Sequence, residues 1–341
     1  MNILIVGFGT AGKYYFNLLK KFSKINKIFV SDIKKIKKSH EYKIINFEIS
    51  EIKKNKITYA IIASPSNLHY EQARVLIKQN INVLIEKPFT LNLNHAKKLI
   101  NILKNRKIKC WVVFQNRFNL AIQKLKKIVK KKKIGSIFLV DCSLIWSRDK
   151  NYYKVSWRGK YKTDGGVLTN QAIHLLDAVV YIFGNIKKFN GTVKFNKKKL
   201  QAEDLVVLNF IHTNNLITSF KATTRADSNY KSSIDVIGDK GRVVVEGVSL
   251  NTFHVFKENN KIYDKKNSED FVTGTGPIKA MGNGHLKILK EFININKKSS
   301  SKNLEIYNNI HVLDVIHSVY NSLNKNKSYS KIYKKQSVLG I

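Results

Sequence analysis

Near the start of the chain, six residues have the G-x-G-x-x-G spacing that can hold a pyrophosphate: Gly7, Phe8, Gly9, Thr10, Ala11 and Gly12. Between a strand and a helix, such glycines allow a tight turn, a close approach of the ligand to the backbone, and close packing of the helix. Asp32 follows about twenty residues later, where a carboxylate can accept both hydroxyls of a ribose. This spacing predicts a dinucleotide site that prefers NAD, with NADP as the alternative because Lys34 and Lys35 lie nearby.

Lys87 is a second candidate for chemistry. It stands in the tripeptide Glu86-Lys87-Pro88, directly after an apolar run. Open α/β sheets bind ligands at the carboxyl ends of their parallel strands, and we expect this lysine at such an end. Burial and a neighbouring nicotinamide cation should lower the pKa of its ammonium group, so that it can exchange a proton with a substrate hydroxyl. A cis peptide bond before Pro88 would aim the lysine inward.

Two longer segments complete a pattern that extends over nearly the whole chain. Residues 63–69 read ASPSNLH, and residues 164–177 read DGGVLTNQAIHLLD. With Glu86-Lys87-Pro88, a Gly284-His285 pair and a closing IHSVY segment, they resemble in order and spacing the Gfo/Idh/MocA oxidoreductases, the glucose–fructose oxidoreductase and inositol dehydrogenase superfamily. The resemblance implies an NAD-dependent oxidoreductase whose cofactor site also includes Ser64, Pro65, Asn67, His69, Glu86 and Lys87.

The resemblance also implies a catalytic set of Lys87, Asn170 and His174. His174 would take the hydroxyl proton while a hydride leaves the same carbon for the nicotinamide. Asn170 would share a helix face with His174, one turn earlier. Many family members carry Asp there, and an amide cannot accept a proton, so proton transfer is expected to rest on His174 and Lys87. The Asn-Gln-Ala-Ile-His context is similar to the branch that oxidises nucleotide-linked amino sugars or their uronates at C3 in surface-polysaccharide biosynthesis.

The substrate should bind between the two halves of the chain. Asn116 and Arg117 come just after the last apolar run of the first half, and Tyr153, Trp157 and Arg158 lie in an aromatic segment before the paired glycines. Arginine suits a carboxylate or phosphate, and aromatic rings offer stacking faces to a sugar or uracil. Each of these residues could instead pack the interface between the halves.

The elements that must position these residues fall into two groups, which predict an α/β fold. Up to residue 118, apolar runs alternate with amphipathic stretches, as is typical of a Rossmann doubly wound parallel sheet. Predicted strands there are residues 2–8, 27–31, 59–64, 82–85 and 109–114, and predicted helices are 11–22, 68–79 and 93–105.

Residues 119–341 are predicted to form an α+β domain for substrate binding and oligomerisation, with a large, mostly antiparallel sheet. Tight turns at Asn214-Asn215 and at residues 238–241 separate neighbouring strands. The predicted strands are residues 137–146, 186–195, 205–212, 216–224, 232–237 and 242–246, and the helices are 121–132, 168–183, 284–297 and 304–323.

The formal net charge of +39 comes almost entirely from lysine, since seven of the 62 basic residues are arginine. Nucleic-acid-binding surfaces typically use arginine forks and interleaved aromatic rings on one face, whereas these lysines are scattered along the chain. We therefore expect no nucleic-acid partner. A basic surface would still speed the encounter with a polyanionic substrate such as a sugar diphosphate.

Other features bear on location and metals. Cys110 and Cys142 lie in apolar runs, which favours buried thiols in a reducing compartment. The first apolar run leads straight into the glycine turn, unlike a signal peptide, and no stretch approaches the roughly 18 apolar residues of a membrane span. We expect a cytoplasmic protein with no membrane partner. His311, Asp314 and His317 recur at helical spacing, but no cysteine or carboxylate cluster completes a metal site, so no metal is expected.

The family resemblance implies a homodimer or homotetramer. Val206, Leu208 and Phe210 alternate along one predicted strand, so one face of that sheet needs cover. Alternative functions are a dehydrogenase of a free polyol or inositol, a ketosugar reductase, and a non-catalytic nucleotide-binding sensor. The presence of both Lys87 and His174 argues against the sensor.

Overall fold

The computed structural model describes residues 1–195, 201–258, 261–262, 269–270, 284–293, 303–322, 330–332 and 334–340. Strands and helices alternate along the first third of the chain: β1 (Asn2–Val6), α1 (Thr10–Leu19), β2 (Lys27–Ser31), β3 (Lys43–Ile44), α2 (Ile49–Lys54), β4 (Ile57–Ile62), α3 (His69–Lys78), β5 (Asn82–Ile85), α4 (Leu93–Leu103) and β6 (Cys110–Val112).

These strands form one parallel sheet in the order β3-β2-β1-β4-β5-β6, the Rossmann order, so the predicted first fold is confirmed. Consecutive residues such as Ile3, Leu4 and Ile5 are fully buried, as is typical of a parallel sheet covered on both faces. The sequence did not predict β3 and α2, because two and six residues are too short to display a period.

The rest of the chain adds five helices among the described residues: α5 (Leu120–Lys130), α6 (Lys150–Tyr153), α7 (Ile173–Phe183), α8 (Gly284–Ile293) and α9 (Ile306–Ser322). Residues 294–297 and 323, the ends of two predicted helices, lie outside the described residues. The chain passes from the first sheet to α5 through a 3₁₀ turn at Gln115–Phe118. The predicted domain boundary after residue 118 falls in this passage and stays a prediction.

A second sheet contains ten strands within the described residues: β7 (Ile137–Ile145), β8 (Ile186–Lys194), β9 (Leu205–His212), β10 (Ile217–Thr223), β11 (Lys231–Gly238), β12 (Gly241–Glu246), β13 (Thr252–Glu258), β14 (Lys261–Ile262), β15 (Glu269–Asp270) and β16 (Ser330–Lys331). Their order is β14-β13-β12-β11-β7-β10-β9-β8-β16, with β15 also beside β13. All neighbours are antiparallel except β7 and β10, which are parallel. The predicted large, mostly antiparallel sheet is confirmed.

One face of this sheet is covered from within the chain. Val206, Leu208 and Phe210 are buried in the hydrophobic core, and Phe210 packs on Phe220 of the neighbouring strand. These three residues therefore do not belong to a face that needs a partner, and that part of the expectation is wrong. The alternate residues of β9 and β10 form the open face, where Val207 is 42% exposed and Ile217 is 47% exposed.

Helix α7 begins later than predicted. The backbone nitrogens of Val167 and Leu168 donate to Glu203, and Ala172 N donates to Val167 O five residues back, which is a wider turn than an α-helix makes. Asn170 therefore lies in the turn before α7. The expectation that Asn170 and His174 share one helix face is wrong.

The predicted state of the cysteines is confirmed. Cys110 and Cys142 are free and fully buried, and burial raises the pKa of both thiols. Within the described ranges, no helix has the length and apolar character needed to cross a membrane.

Candidate active site

The glycine turn after β1 is shaped for a ligand at its backbone. Gly7 has φ +90°, and a Cβ added there would lie 2.5 Å from Ser64 N. A Cβ on Gly12 would lie 2.0 Å from Gly7 O, so only glycine allows the first turn of α1 to pack this closely. A Cβ on Gly9 would meet no atom within 4 Å, which leaves open space beside that backbone. The turn can therefore receive a pyrophosphate next to Gly9.

Asp32 lies at the carboxyl end of β2 and lines a cavity of about 150 Å³. Its Oδ2 accepts from Phe8 N at 2.6 Å, and its Oδ1 accepts from Lys34 N at 2.8 Å. Each carboxylate oxygen has a further lone pair for a ribose hydroxyl. The other residues around this cavity are Val6, Gly7, Ser31, Ile33, Asn46, Phe47, Ser64, Pro65, Leu68 and Gln72. These residues fit the adenosine half of NAD.

The segment after β4 supplies the opposite wall of that cavity. Ser64 Oγ donates to Gln72 Oε1 at 2.6 Å, and Asn67 is exposed. His69 is buried, with its two ring nitrogens 2.9 Å from the backbone oxygens of Pro88 and Ser64. Burial lowers the pKa of His69. His69 thus joins the loops after β4 and β5.

Lys87 follows β5 at its carboxyl end, and the peptide bond before Pro88 is cis, as anticipated. Lys87 Nζ donates to the backbone oxygen of Asn170 at 2.7 Å and to Asn170 Oδ1 at 3.3 Å. Burial lowers the pKa of Lys87, while the charges of Glu86 and Asp164 oppose this shift. The predicted direction of the pKa shift is confirmed, and the lysine contacts the turn before α7.

His174 is the second residue of α7. Its Nε2 lies 3.4 Å from Gln115 Nε2, and among the described residues its buried Nδ1 has no hydrogen-bond partner. Burial lowers the pKa of His174 well below the ordinary value, and the charges of Lys87 and His285 add to this shift. The imidazole is therefore neutral at pH 7 and can accept a proton.

Three further side chains around Glu86 were missed as site residues. Tyr15 OH donates to Glu86 Oε1 at 2.5 Å, and His285 Nε2 lies 3.9 Å from the same oxygen. The rings of Tyr14 and Tyr15 contact His285 edge-on. The Gly284-His285 pair was the available signal: a Cβ on Gly284 would lie 2.2 Å from Gln115 O, so this glycine lets α8 approach the site.

Arg117 is buried, and its side chain contacts a different set of residues. Its guanidinium is ion-paired with Asp177, donates to Asn303 O at 2.5 Å, and lies over the rings of Phe114 and Tyr181. The structure therefore commits Arg117 to internal contacts. Asn116 is half-buried in the same 3₁₀ turn, where its backbone oxygen accepts from Asn119 N.

The aromatic segment carries two arginines. Arg158 lies over the rings of Tyr152 and Trp157, at 4.0 and 4.4 Å from their centroids, and donates to Tyr152 OH. Arg148 lies 5.3 Å from the centroid of Tyr152, and both arginine charges lower the pKa of Lys87. In the part of the chain that the structure describes, neither arginine has a carboxylate within ion-pair distance.

Two other residues of the aromatic segment contact neighbouring residues of the chain. Tyr153 OH lies 3.1 Å from Thr224 Oγ1. Trp157 is half-buried, and its backbone oxygen accepts from Thr163 Oγ1.

The histidines considered for a metal have other partners. His311 Nε2 accepts from Ile186 N at 3.0 Å, and the ring nitrogens of His317 lie 2.8 Å from Ser337 Oγ and 3.1 Å from Leu91 O. These contacts hold α9 against neighbouring elements.

Comparison with known proteins identifies the family. Residues 1–114 match the oxidoreductase family with an NAD-binding Rossmann fold, and residues 122–244 match the GFO/IDH/MocA C-terminal domain. The chain belongs to the Gfo/Idh/MocA oxidoreductase family. Its first domain is therefore an NAD-binding Rossmann fold, in agreement with the glycine turn and Asp32.

Two relatives and one solved structure show how far this likeness extends. The chain is 24% identical over 237 residues to an uncharacterized oxidoreductase of Synechocystis, covering 65% of this chain and 64% of that one, less than two thirds of either length. It is 25% identical over 270 residues to myo-inositol 2-dehydrogenase of Thermotoga maritima, covering 74% and 77%. The WlbA dehydrogenase of Bordetella pertussis, solved with NADH and UDP-GlcNAcA, has a TM-score of 0.80 at 20% identity, covering 97% and 98%. At this identity the likeness shows a shared fold.

Proposed function

We propose that this protein oxidises a secondary hydroxyl of a sugar to a ketone, with NAD as the acceptor. The observation that carries the proposal is the pair of hydrogen bonds from Lys87 Nζ to Asn170. They join the carboxyl end of β5 to the turn before α7, and so bring a half-buried lysine close enough for its charge to lower the pKa of the neutral His174. A lysine and a neutral histidine at the carboxyl edge of the NAD-binding sheet are suited to moving the proton of an alcohol.

Each side chain has a separate role in this reaction. When bound, the nicotinamide of NAD supplies the hydride acceptor. His174 accepts the proton of the substrate hydroxyl, because its imidazole is neutral and a buried nitrogen is unpartnered among the described residues. An ammonium has three donors, so Lys87 retains one for the substrate oxygen and stabilises the charge that develops there.

We further propose an anionic substrate, a nucleotide-linked amino sugar or its uronate. Arg148 and Arg158 support this class. Both lie close enough for their charges to lower the pKa of Lys87, and neither has a carboxylate partner among the described residues. Guanidinium groups bind carboxylate and phosphate in a bidentate fashion. The UDP-GlcNAcA in the WlbA structure also supports it. A free polyol is the second candidate, favoured by the myo-inositol 2-dehydrogenase relative.

The test is to follow NADH absorbance while the purified protein is offered UDP-linked sugars and uronates, the corresponding free sugars, and inositols. We expect turnover with a nucleotide-linked sugar, and a loss of selectivity for it in Arg148→Ala and Arg158→Ala. Arg106→Ala is the matched control, because Arg106 contacts Asn80 and Lys78 on the surface. Turnover of inositol alone would favour the second candidate, and no turnover of any alcohol would favour the non-catalytic sensor.

We also propose a cytoplasmic location, which the two free, buried thiols support. A homodimer or homotetramer is proposed as the assembly. Cell fractionation checks the location.

A further inference from the structure

The side chains of Asp164, Asn170 and Lys87 form a continuous hydrogen-bonded row. Asn170 Nδ2 donates to Asp164 Oδ1 at 2.5 Å, and Lys87 Nζ donates to Asn170 Oδ1 at 3.3 Å. Asp164 is 3% exposed. The amide of Asn170 therefore bridges a buried carboxylate and the lysine at the end of β5.

The two neighbours fix the direction of this amide. An ammonium group offers only donors, and an ionised carboxylate offers only acceptors. The oxygen of Asn170 must therefore face Lys87, and its nitrogen must face Asp164. A carboxylate at position 170 could accept from Lys87 but would have no hydrogen to donate to Asp164. Asn170 and Asp164 are thus a chemically matched pair.

Asp164 receives a second donor, since Gly159 N donates to its Oδ2 at 2.9 Å. Burial raises the pKa of Asp164, whereas the Gly159 N–H group and the charges of Arg158 and Lys87 oppose this shift. In return, the charge of Asp164 raises the pKa of Lys87 against the effect of burial. Glu86, Arg148 and Arg158 act on this row through their charges, and the charges of Asp164 and Lys87 in turn act on Tyr152, Tyr153 and His174.

We propose that Asp164 is a positioning residue that acts through Asn170 and keeps Lys87 protonated and directed at the reacting hydroxyl. This inference rests on the proposed role of Lys87. The negative charge that an aspartate at position 170 would bring is supplied instead from position 164, and the amide transmits it. Asp164 also holds the turn from Gly159 to Gly165, so its test needs a readout that a purely structural role would not change.

The first experiment measures the titration of Lys87 without any substrate. The full chain is acetylated briefly with acetic anhydride over a range of pH, and mass spectrometry gives the labelling of Lys87. Asp164→Asn keeps the shape and an acceptor oxygen but removes the charge, so we expect the titration midpoint to fall by about one pH unit. Asp239→Asn is the control, because Asp239 likewise accepts from a backbone nitrogen, that of Ser136, in a distant turn. An unchanged midpoint in Asp164→Asn overturns the proposal.

The second experiment exchanges the two residues. The double variant D164N/N170D places the carboxylate directly against Lys87 Nζ and the amide behind it. We expect its labelling midpoint to rise above that of the wild type, and its turnover to recover to within about tenfold after a larger loss in Asp164→Asn. If Asp164→Asn does not fold, as judged by circular dichroism, the double variant still decides, because a midpoint at or below the wild-type value contradicts the proposal.

The two failures are distinguishable. A shift of the Lys87 midpoint in a protein that oxidises no sugar would reject the proposed function and leave the coupling of the row intact. If the protein oxidises a sugar and the labelling midpoint of Lys87 is the same in Asp164→Asn as in the wild type, only the positioning role is rejected.

Discussion

Burial acts on both Lys87 and His174, and the charge of Lys87 acts on His174 as well. Burial lowers the pKa of both groups, and the charge of Lys87 lowers the pKa of His174 further. Glu86 and Asp164 limit the shift at Lys87. The two acids thus favour the charged form of the lysine, while the histidine is neutral near pH 7, so one group can stabilise an oxygen anion and the other can accept its proton.

At the residue scale, the first prediction concerns turnover. A positioned proton-transfer group typically contributes about 10²–10⁴-fold, so Lys87→Ala and His174→Ala should each lower kcat by that order. Affinity for NADH should change little, because the pyrophosphate turn and Asp32 are untouched. Steady-state kinetics and NADH fluorescence titration check this. The controls are Lys98→Ala and His40→Ala, which remove exposed side chains. Full turnover in both site variants would remove this pair from the mechanism.

A second prediction separates the two cofactors. Asp32→Ala should weaken NADH binding by about tenfold or more and NADPH binding less, since the carboxylate binds ribose hydroxyls but repels a 2′-phosphate. Parallel fluorescence titrations with NADH and NADPH measure the difference. Glu71→Ala, which removes an exposed carboxylate on α3, is the control. Equal losses for the two cofactors would contradict the ribose assignment.

Some residues of the site could be predicted from spacing, and others could not. The glycines, Asp32 and Lys87 follow strand ends, and a strand end is visible in a sequence as the end of an apolar run. That criterion could not distinguish the buried Arg117 from Arg158. The burial of Arg117 against Asp177 arises only when α7 packs on the 3₁₀ turn, and the sequence does not display this packing. Asp164 was overlooked for the same reason, since its contact with Asn170 depends on the turn before α7.

At the element scale, the turn before α7 depends on a buried acid. Glu203 Oε1 accepts from Leu168 N at 2.8 Å, and Tyr320 OH donates to its other oxygen. Burial raises the pKa of Glu203 to about 7. Glu203 thereby joins α9 to the segment that carries Asn170.

This pKa predicts how stability depends on pH. The folded protein keeps the Glu203 proton up to about pH 7, whereas the unfolded chain loses it near pH 4.5. The free energy of unfolding that the raised pKa of Glu203 contributes is fully present below pH 4.5. This contribution is lost as the pH rises toward 7, by up to about 3 kcal/mol. Glu203→Gln should reduce this loss, as measured by urea unfolding between pH 5 and 8. Parallel curves for the two proteins would show that Glu203 does not titrate in this window.

The strands show where sequence patterns succeed. The predictions for residues 82–85 and 205–212 coincide with β5 and β9, because each is a compact apolar or alternating run bounded by polar residues. The parallel pairing of β7 with β10 was not predicted, because partners distant in the chain are chosen by the packing of the whole sheet. Strand β13 and helix α6 were also missed. Helix α6 has four residues, and Asp149 caps it through Tyr152 N.

At the scale of the whole molecule, the open face of the second sheet is the surface to explain. The register places Leu139, Ile211, Ile217 and Ile237 in one row across β7, β9, β10 and β11. Beside this row, Lys221 is paired with Asp141 at 2.8 Å and Arg242 with Asp235 at 2.6 Å, whereas the exposed Lys188 lies opposite Ile211. A second copy covering this row would therefore bury apolar side chains beside charges that are partly paired within the chain, against the repulsion from the net charge of +39.

We therefore predict that this face, rather than the buried residues of β9, forms the subunit interface. Light scattering at micromolar concentration should give the mass of at least two chains. Ile217→Lys and Val207→Glu should each shift the protein toward the monomer, because a charge in the centre of an apolar contact loses its hydration. Ile49→Lys, an exposed apolar residue of α2, is the control and should leave the mass unchanged. A wild-type mass of one chain would show that there is no such interface. Dissociation by the control variant alone would show that the interface lies on another surface.

Raising the salt concentration should favour association, since it screens the repulsion between two strongly basic chains.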